Sequence, residues 1–453
     1  MIEPATTQPA FTFVDLFAGI GGFHAALSTF GGQCEYAVEI DSQAAAVYKL
    51  NWGVDALGDI TQTANEQAVT VPATTVLAAG FPCQAFSKSG AQRGMDEARG
   101  TLFWNVARVI EANRPPVVIL ENVRNLVGPR HRHEWDVIIR TLRELGYRVS
   151  DEPSVMSPHW LPLERGGRPQ VRERVFITAT YNPDALDDGL PVKPAITERD
   201  LRGGEEWDLA ADLPLDEDHH VTGCDLTEDE RRWIDAWDAW VQLMWRLVGD
   251  SPHARLPGHP IWVDAWSAGS LVIPEGTPTW KVNFLRKNDD LYKRHKVALD
   301  AWLQAYKVRS FPASRQKFEW QAQTAQTLWE CVMHMRPSGI RAKRATYVPA
   351  LVAITQTSIV GSRERRISPR EAARLQGLPD EFQFGSQPDA ASYKQMGNGV
   401  SVGVVAHVLR KHVERDQDIL KVTAPNLVDA VLNSGYTSPD DAFEAMRPQE
   451  DSL

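Results

Sequence analysis

A cysteine and a glutamate follow two of the apolar segments in the first part of the chain. Cys83 comes shortly after Val76–Ala79, and Glu121 comes directly after Val117–Leu120. A lone cysteine is more often a buried, inert side chain. Here it stands between Pro82 and a polar, partly basic loop, which favours a nucleophile. A carboxyl group that burial keeps protonated can act as an acid, so Glu121 is a candidate acid in the same cleft.

Two arginines precede a further apolar segment, Val175–Ala179. Arg172 and Arg174 alternate by two, so in an extended segment both would point to one side. They could place positive charge beside the cysteine, or they could simply begin an exposed, salt-bridged strand.

A glycine-rich turn and two acidic residues are typical of a cofactor site. The segment Asp15–Gly22 predicts a strand, a tight turn and the start of a helix, where backbone can approach a ligand closely. Glu39, followed by Ile40, comes about 20 residues later, the spacing at which an acid can accept hydrogen bonds from a ribose. Asp59 beside Ile60 offers a second carboxylate next to an apolar side chain. The glycines depart from the GxGxxG pattern, so a dinucleotide site is not supported.

Short apolar runs alternate with helical patterns through this region. The alternation predicts an α/β fold, with a parallel or mostly parallel sheet covered by helices on both faces. The carboxyl ends of the strands would then bring the candidate residues to one edge. The predicted strands are Phe11–Leu16, Cys34–Glu39, Val76–Ala79, Val117–Leu120 and Val175–Ala179, and the predicted helices are 23–30, 42–51, about 101–113 and about 134–145.

Composition excludes several classes of protein. The 453 residues are 43% hydrophobic and 24% charged, as in ordinary globular proteins. No apolar run reaches the roughly 18 residues of a membrane span, and no signal peptide begins the chain. The four cysteines include no CxxC pair, so we expect neither disulfides nor a metal site, and a cytoplasmic location.

Charge is unevenly distributed along the chain. The formal net charge of -11 equals the net charge of residues 198–230 alone. Residues 281–320 carry a net +6 and residues 336–374 a net +7, with aromatic residues among the charges. We interpret the acidic segment as a solvated surface turned away from any phosphates, and the two basic stretches as candidate nucleic-acid contacts.

Tryptophan marks the middle of the chain. Residues 227–230 form a capping-box pattern, and a helix to about Val248 follows with an apolar stripe that includes Trp233, Trp237 and Trp240. Such a stripe predicts a packed core rather than a base-stacking platform. A second helix is predicted over Asp290–Lys307.

Taken together, these residues resemble the cytosine-5 DNA methyltransferases of bacterial restriction-modification systems. The resemblance covers about 390 residues in family order. Its blocks are Phe13–Gly22, Gly80–Ser87, Glu121–Val123, Gln170–Arg174, Arg366–Glu381 and Tyr393–Ser401.

The resemblance implies a reaction and a role for each catalytic candidate. Cys83 would attack C6 of a cytosine flipped out of duplex DNA, Glu121 would contact N3 and the exocyclic amine, and C5 would take a methyl group from S-adenosyl-L-methionine. Arg172 and Arg174 would hold the cytosine O2. The cofactor would be bound by Phe17, Gly19, Gly21, Glu39, Ile40, Asp59, Ile60, Pro82, Leu102, Asn398 and Val400.

The resemblance also implies a domain plan. A Rossmann-like methyltransferase sheet in residues 1–185, completed by 395–420, would be joined to a smaller target-recognition domain in 186–394. Residues 421–453 would form a C-terminal tail, which we expect to be mobile from about residue 434. Candidate DNA contacts are Ser87, Ser89 and Arg93 in the loop after Cys83, and Arg286, Lys287, Lys293, Arg294, Arg341, Lys343 and Arg344 in the second domain.

The expected partner is double-stranded DNA, bound by a monomer at the bacterial nucleoid, with a separate cognate endonuclease if the chain serves restriction-modification. Three alternatives remain open: a tRNA cytosine-5 methyltransferase of the same family, a non-catalytic DNA-binding relative, and a nicotinamide oxidoreductase. The large second domain, with its two basic stretches, favours DNA over tRNA. A non-catalytic relative predicts that a catalytic residue is missing, but Cys83, Glu121, Arg172 and Arg174 are all present. An oxidoreductase would give no role to the segment Pro82-Cys83-Gln84.

Overall fold

A computed structural model describes most of the chain. The described residues are 8–82, 101–183, 191–213, 215–216, 220–249, 254–267, 269–351, 357–435 and 438–446. The chain divides into two compact units, one formed by Met1–Glu206 with Ala372–Leu453 and the other by Trp207–Glu371. No described helix is long and apolar enough to cross a membrane.

The first unit is built on a mostly parallel sheet. Its strands run in the order β2-β1-β3-β4-β8-β5, with β6 also paired to β8. Strands β1 to β4 are parallel, and β8 is antiparallel to its three neighbours. The strands of the unit are β1 Phe11–Leu16, β2 Gly32–Val38, β3 Val76–Gly80, β4 Val117–Val123, β5 Tyr147–Val149, β6 Ser154–Met156, β7 Gln170–Val171 and β8 Arg174–Tyr181. All five predicted strands are present.

Helices follow the strands of this sheet. They are α1 Gly22–Ser28, α2 Ser42–Trp52, α3 Ile60–Thr63, α4 Leu102–Asn113 and α5 Arg132–Glu144. Local sequence explains where they begin: the Asp41 side chain accepts from two backbone N–H groups at the start of α2, and Thr101 does the same for one N–H of α4. The helix α2 ends at Gly53, whose φ of 72° suits glycine.

Both faces of the sheet are covered. Val118 and Leu120 of β4 belong to one core with Phe103 of α4. The intervening Val117 and Ile119 point to the opposite face and are also fully buried. Burial on both faces is what a sheet enclosed by helices requires.

The second unit contains a smaller sheet and three longer helices. Its strand order is β15-β14-β11-β12-β10-β9. Its helices are α6 Leu209–Asp212, α7 Glu228–Val248, α8 Thr279–Arg294 and α9 Lys296–Ala305. Its strands are β9 Ile261–Trp262, β10 Lys317–Gln321, β11 Cys331–Arg336, β12 Gly339–Arg344, β13 Val348–Pro349, β14 Ile359–Val360 and β15 Arg365–Arg366.

The tryptophan stripe is core, as predicted. Thr227 and Glu230 form the capping box that opens α7. Trp237 and Trp240 are fully buried, and Trp237 stacks on Phe318 of β10 with ring centroids 4.8 Å apart. The single helix predicted over Asp290–Lys307 is wrong: α8 begins earlier, and non-helical dihedrals at His295 separate it from α9.

The acidic segment is more than a solvated surface. Its apolar residues Trp207, Leu209, Leu213 and Cys224 are buried. These side chains therefore pack the segment into the folded structure. The acidic residues lie between them in the sequence.

The C-terminal part of the chain returns to the first unit as helices. They are α10 Pro369–Gln376, α11 Asp389–Asn398, α12 Val402–Thr423, α13 Pro425–Leu432 and α14 Pro439–Met446. The predicted C-terminal tail begins with a packed helix: Leu427 and Val431 of α13 are fully buried. The mobility expected from about residue 434 is wrong for Pro439–Met446, which form α14. Asp440 of α14 accepts two hydrogen bonds from Arg168, at 2.7 and 2.8 Å.

The compact units differ at their edges from the predicted domains. Residues 191–206 and 372–394 cluster with the first unit, although the sequence placed them in the second domain. Hydrogen bonds account for part of this difference, since Leu201 N–H donates to the Trp160 carbonyl and Ile196 N–H to Ser154 Oγ. The target-recognition role of the second domain stays a prediction.

Candidate active site

A cavity of about 460 Å³ lies where the carboxyl ends of β1 to β4 meet. The sequence predicted eleven cofactor residues, and the structure places ten of them in its lining. These ten are Phe17, Gly19, Glu39, Ile40, Asp59, Ile60, Pro82, Leu102, Asn398 and Val400. The strand topology explains the convergence, because parallel strands end at the same sheet edge.

The eleventh residue, Gly21, does not line the cavity. Its φ is 92°, and a Cβ there would lie 2.1 Å from Nε1 of Trp52. The need for glycine at this position therefore comes from the backbone conformation and from packing. The neighbouring Gly22 has a related role, because a Cβ on it would lie 2.8 Å from Cγ2 of Val400. A side chain at Gly22 would therefore keep the block Tyr393–Ser401 away from α1.

Glu39 connects the glycine turn to the end of β2. Its Oε2 accepts from the Gly19 N–H at 2.9 Å, and its Oε1 accepts from the Asp41 N–H at 2.8 Å. Each oxygen retains capacity for a further hydrogen bond. The carboxylate is thus held in a fixed position and can still accept from a pair of ligand hydroxyls.

Ile40 and Asp59 lie beside Glu39 in the lining. Ile40 is 73% exposed, so the cavity wall includes a large apolar side chain that is open to contact. Asp59 Oδ1 caps α3 by accepting from Thr61, while Oδ2 makes no hydrogen bond to a described residue. An apolar surface next to an acceptor suits a planar heterocycle that carries a donor.

Glu121 and Arg174 form an ion pair in the wall of the same cavity. Arg174 Nε lies 2.8 Å from Glu121 Oε1, and the register of β4 with β8 brings them near each other. Glu121 is only 7% exposed. Burial raises its pKa, while the positive charges of Arg174 and Arg172 oppose that rise.

Asn122 fixes the segment that leads toward Cys83. Its Nδ2 donates to the Phe81 carbonyl at 2.9 Å, which ties the end of β3 to β4. Glu121 is paired in register with Gly80, three residues before Cys83. The catalytic candidate Cys83 and the DNA candidates Ser87, Ser89 and Arg93 lie outside the described residues.

Arg172 has a different place from the one its spacing predicts. It is 2% exposed and does not line the cavity. Its guanidinium donates to the carbonyls of Gly397 and Gly399, and so supports the segment that carries Asn398. Burial, reinforced by Arg174, lowers its pKa to about 9, which leaves it charged at neutral pH. The two arginines do not share one strand: β7 ends at Val171 and β8 begins at Arg174, so spacing by two does not put both side chains on one face.

The sequence missed a salt bridge at the cavity edge. Lys394 Nζ lies 2.9 Å from Asp41 Oδ2, joining α11 to the start of α2, and both residues line the cavity. The hydrogen bond from Lys394 lowers the pKa of Asp41. Lys394 belongs to the block Tyr393–Ser401 and Asp41 directly follows Ile40, but nothing in the sequence connects positions 353 residues apart.

A buried carboxyl group lies next to the turn. Asp15 is fully buried near the end of β1, and burial raises its pKa well above the usual value. It does not line the cavity.

Basic candidates in the second unit fall into two groups. On α8, the side chains of Arg286, Lys287 and Arg294 are exposed and make no ion pair with a described residue, whereas Lys293 is paired with Asp289 at 2.7 Å. On β12, Arg341 donates to both carboxylate oxygens of Glu319.

The two remaining basic candidates of β12, Lys343 and Arg344, also contact other side chains. Lys343 Nζ lies 4.4 Å from the ring centroid of Tyr347, and Arg344 donates to the Gln323 side chain at 3.5 Å. The α8 group is therefore the better candidate for contact with phosphates. No group of three His, Cys, Asp or Glu side chains in the described part of the chain could hold a metal ion.

Comparison with known proteins assigns the family. The sequence model of one family, described as C-5 cytosine-specific DNA methylase, matches residues 11–414. The chain belongs to this family. Methylases of this family transfer the methyl group of S-adenosyl-L-methionine to C5 of cytosine in DNA, and this chain is accordingly a DNA cytosine-5 methyltransferase with that cofactor. The nicotinamide alternative is set aside.

Several bacterial enzymes are similar over nearly their whole length. The Type II methyltransferase M.AluI of Cellulosimicrobium cellulans is 50% identical over 93% of this chain and 96% of its own. M.HhaI of Haemophilus parahaemolyticus is 43% identical over 90% and 96%, and M.HpaII of Haemophilus parainfluenzae is 39% identical over 92% and 93%. Each is described as a Type II methyltransferase.

The cavity fits the cofactor of the methylase. Glu39 offers acceptors for a ribose diol, and Asp59 offers an acceptor beside the exposed Ile40. The glycine turn forms a part of the wall that has no side chains. A volume of about 460 Å³ is in the range of small-molecule sites, about 300–1,000 Å³.

Proposed function

We propose that the methylase acts on a flipped-out cytosine in a specific duplex DNA sequence through a covalent bond between Cys83 and C6. One observation carries the proposal: the ion pair of Glu121 and Arg174 lies in the wall of the cavity that also contains Glu39. An acid, a cation and a ribose-type acceptor thus share one cavity, and the chain leads from its edge to Cys83.

The chemistry follows from the weak nucleophilicity of cytosine C5. Addition of the Cys83 thiolate to C6 places electron density on C5, so that C5 can take a methyl group. S-Adenosyl-L-methionine supplies that group. Loss of the C5 proton and departure of the Cys83 sulfur then restore the ring. C5 and C6 are out of reach inside the base stack, and for that reason the base must be flipped.

Glu121 and Arg174 would meet the cytosine ring. Burial raises the pKa of Glu121, so the carboxyl group can hold a proton at N3, where negative charge develops on addition of the thiolate. Arg174 would donate to O2 and favour the thiolate form of Cys83 by its charge. Arg172 would act through the backbone of Gly397 and Gly399 and not by touching the base.

The cofactor residues would divide the ligand among them. Glu39 would bind the ribose, and Asp59 with Ile40 and Ile60 the adenine. Phe17 and the backbone at Gly19 would pack beside the methionine part. The remaining wall would consist of Pro82, Leu102, Asn398 and Val400.

The second unit would recognise the target sequence. We assign the phosphate contacts to Arg286, Lys287 and Arg294 of α8, which make no ion pair with a described residue. Ser89 and Arg93 would contact the DNA backbone or fill the gap left by the flipped base.

We further propose that the enzyme modifies DNA within a restriction-modification system. The Type II methyltransferases to which it is similar support this setting. The protein would act as a monomer in the cytoplasm, bound to the nucleoid through DNA, while a separate endonuclease cuts unmodified sites.

The decisive test is the Cys83→Ser variant. We expect methyl transfer to duplex DNA to be abolished while S-adenosyl-L-methionine still binds, since Cys83 supplies the nucleophile and not the cofactor contacts. Cys34→Ser is the matched control, because Cys34 lies half-buried on β2 outside the cavity. Methyl transfer by Cys83→Ser at the normal rate would refute the covalent mechanism.

Two further measurements complete the test. Duplex DNA that contains 5-fluorocytosine should form a stable adduct with the wild-type chain, because fluorine cannot leave as the C5 proton does. The adduct should be lost in Cys83→Ser and kept in Cys34→Ser. Methyl transfer confined to tRNA would contradict the assignment of DNA as substrate.

A further inference from the structure

The first unit contains a second cavity, of about 330 Å³. It forms among the residues directly after α1, the 3-10 turn Leu163–Arg165, helix α12, the segment Ser434–Gly435, and Ser438 with Pro439 at the start of α14. It shares no lining residue with the cavity around Glu39 and Glu121. The methyl-transfer reaction makes no use of it.

The lining of this second cavity is electropositive. Arg165 enters it from the turn, and Arg410 and Lys411 enter it from α12. Glu414 is the single acidic residue in the described lining, and it is paired with Lys411 at 2.7 Å. Three cationic side chains against one carboxylate leave a formal charge of +2.

His407 lies close to all three cationic side chains. His407 is only 7% exposed, lines the cavity and makes no hydrogen bond to a described side chain or backbone group. Burial, followed by the charges of Lys411, Arg165 and Arg410, lowers its pKa to about 4. The neutral ring carries one N–H donor, and that donor has no protein partner in the described part of the chain.

One side of the cavity is apolar. Phe30 just after α1 and Pro439 at the start of α14 contribute this side. The Arg410 guanidinium lies 5.7 Å from the Phe30 ring centroid and donates to Ser434 Oγ at 2.8 Å, so its position is fixed from two directions. A charged end and an apolar side would suit a ligand with an anionic head and an organic body.

We propose that this second cavity binds a phosphomonoester. The phosphate would lie between Arg165, Arg410 and Lys411 and accept from the His407 N–H, and the organic part would lie against Phe30. A phosphomonoester carries a charge of about −1.5 to −2 at neutral pH, which matches the formal +2 of the lining. The volume is at the lower end of the range for small-molecule sites, about 300–1,000 Å³.

Calorimetric titration of the full-length protein in a phosphate-free buffer tests the proposal. The probes are ribose 5-phosphate and glycerol 3-phosphate, compared with inorganic phosphate and with ribose. We expect one saturable site for the two esters, weaker binding of inorganic phosphate, and no binding of ribose.

Variants locate that site. Arg165→Gln combined with Lys411→Gln removes two charge-assisted contacts, and we expect at least a tenfold loss of ester affinity. Lys421→Gln is the matched control: this lysine is exposed on the same helix, α12, but does not line the cavity, so affinity should stay within about twofold. Arg165→Gln alone, at an exposed position, serves if the double variant does not fold.

Three results would overturn the proposal. One is the absence of saturable binding of both esters at concentrations on the order of 10 mM. Another is an equal loss of affinity in Lys421→Gln, which would show attraction to surface charge in general. Equal affinity for inorganic phosphate and for the esters would show an anion site without a place for the organic part.

Discussion

The active site of the first unit and helix α8 of the second unit use their arginines in different ways. In the first unit, Arg174 is paired with Glu121 and Arg172 donates to backbone carbonyls, and both side chains are largely buried. In the second unit, Arg286 and Arg294 of α8 are exposed and form no ion pair with a described residue. Buried arginines hold a defined geometry, whereas exposed ones remain available for a polyanion.

The two basic stretches, 281–320 and 336–374, have similar net charges but differ in how many of their cations are paired. The stretch 336–374 carries the larger positive charge in the sequence, yet Arg341 is held by Glu319, Arg365 by Glu371 and Arg366 by Glu230. Glu230 belongs to the acidic segment, whereas Glu319 and Glu371 belong to the two basic stretches themselves, so carboxylates from both kinds of segment neutralise part of a stretch that looked suited to DNA. Local net charge counts side chains, and only the fold shows which of them are already paired.

Among the residues compared, the largest effect is expected at Glu121, the buried carboxyl group of the first unit. Glu121→Gln preserves size but removes the acid, so we expect methyl transfer to fall by about 10²–10⁴-fold. Single-turnover transfer of a labelled methyl group measures the loss. Glu173→Gln removes an exposed partner of Arg124 in a neighbouring segment and should change the rate by less than about twofold. Normal turnover by Glu121→Gln would contradict the proposed role.

The second prediction concerns a positioning residue. Arg172→Met leaves the buried carbonyls of Gly397 and Gly399 without their donor and should lower the free energy of unfolding by about 2–4 kcal/mol. It should also raise the KM for S-adenosyl-L-methionine more than it lowers kcat, because the supported segment carries Asn398. Urea unfolding and steady-state kinetics measure both. A loss of kcat alone, with unchanged stability, would show that Arg172 touches the base.

The third prediction separates the two basic groups of the second unit. Arg286→Gln combined with Lys287→Gln should reduce the slope of log K for DNA against log salt by about 1.8, the contribution of two phosphate contacts. Arg341→Gln should leave the slope unchanged, since that side chain is already paired with Glu319. The opposite pattern in a salt titration would assign the phosphate contacts to β12.

The smallest effect is expected at the salt bridge between Lys394 and Asp41. Both side chains are more than one-third exposed, so Lys394→Gln should cost about 0.5 kcal/mol or less. Because the pair lowers the pKa of Asp41, its stabilisation is present above the ordinary aspartate range and is lost as pH falls through the lowered pKa. Unfolding of both forms at neutral and acidic pH checks this, and a difference that persists in acid would contradict it.

Much of the first unit could be predicted from local patterns. The strand over Phe11–Leu16 agrees with the structure at both ends, and ten of the eleven cofactor residues line one cavity. These agreements have a common cause, since parallel strands end at one edge and glycine turns follow them. The misses involve residues far apart in sequence: Arg172 with Gly399, and Asp41 with Lys394.

The amino-acid sequence by itself determined the family, the sheet and the residues that surround its active edge, because these depend on strand periodicity and on short motifs within single turns of chain. The tertiary structure decided which charges are paired, that residues 425–432 form a packed helix, and where Arg172 donates. Those outcomes depend on contacts between segments that are distant in sequence. The sequence shows that a residue is charged or can donate a hydrogen bond, but it does not show which distant residue becomes its partner.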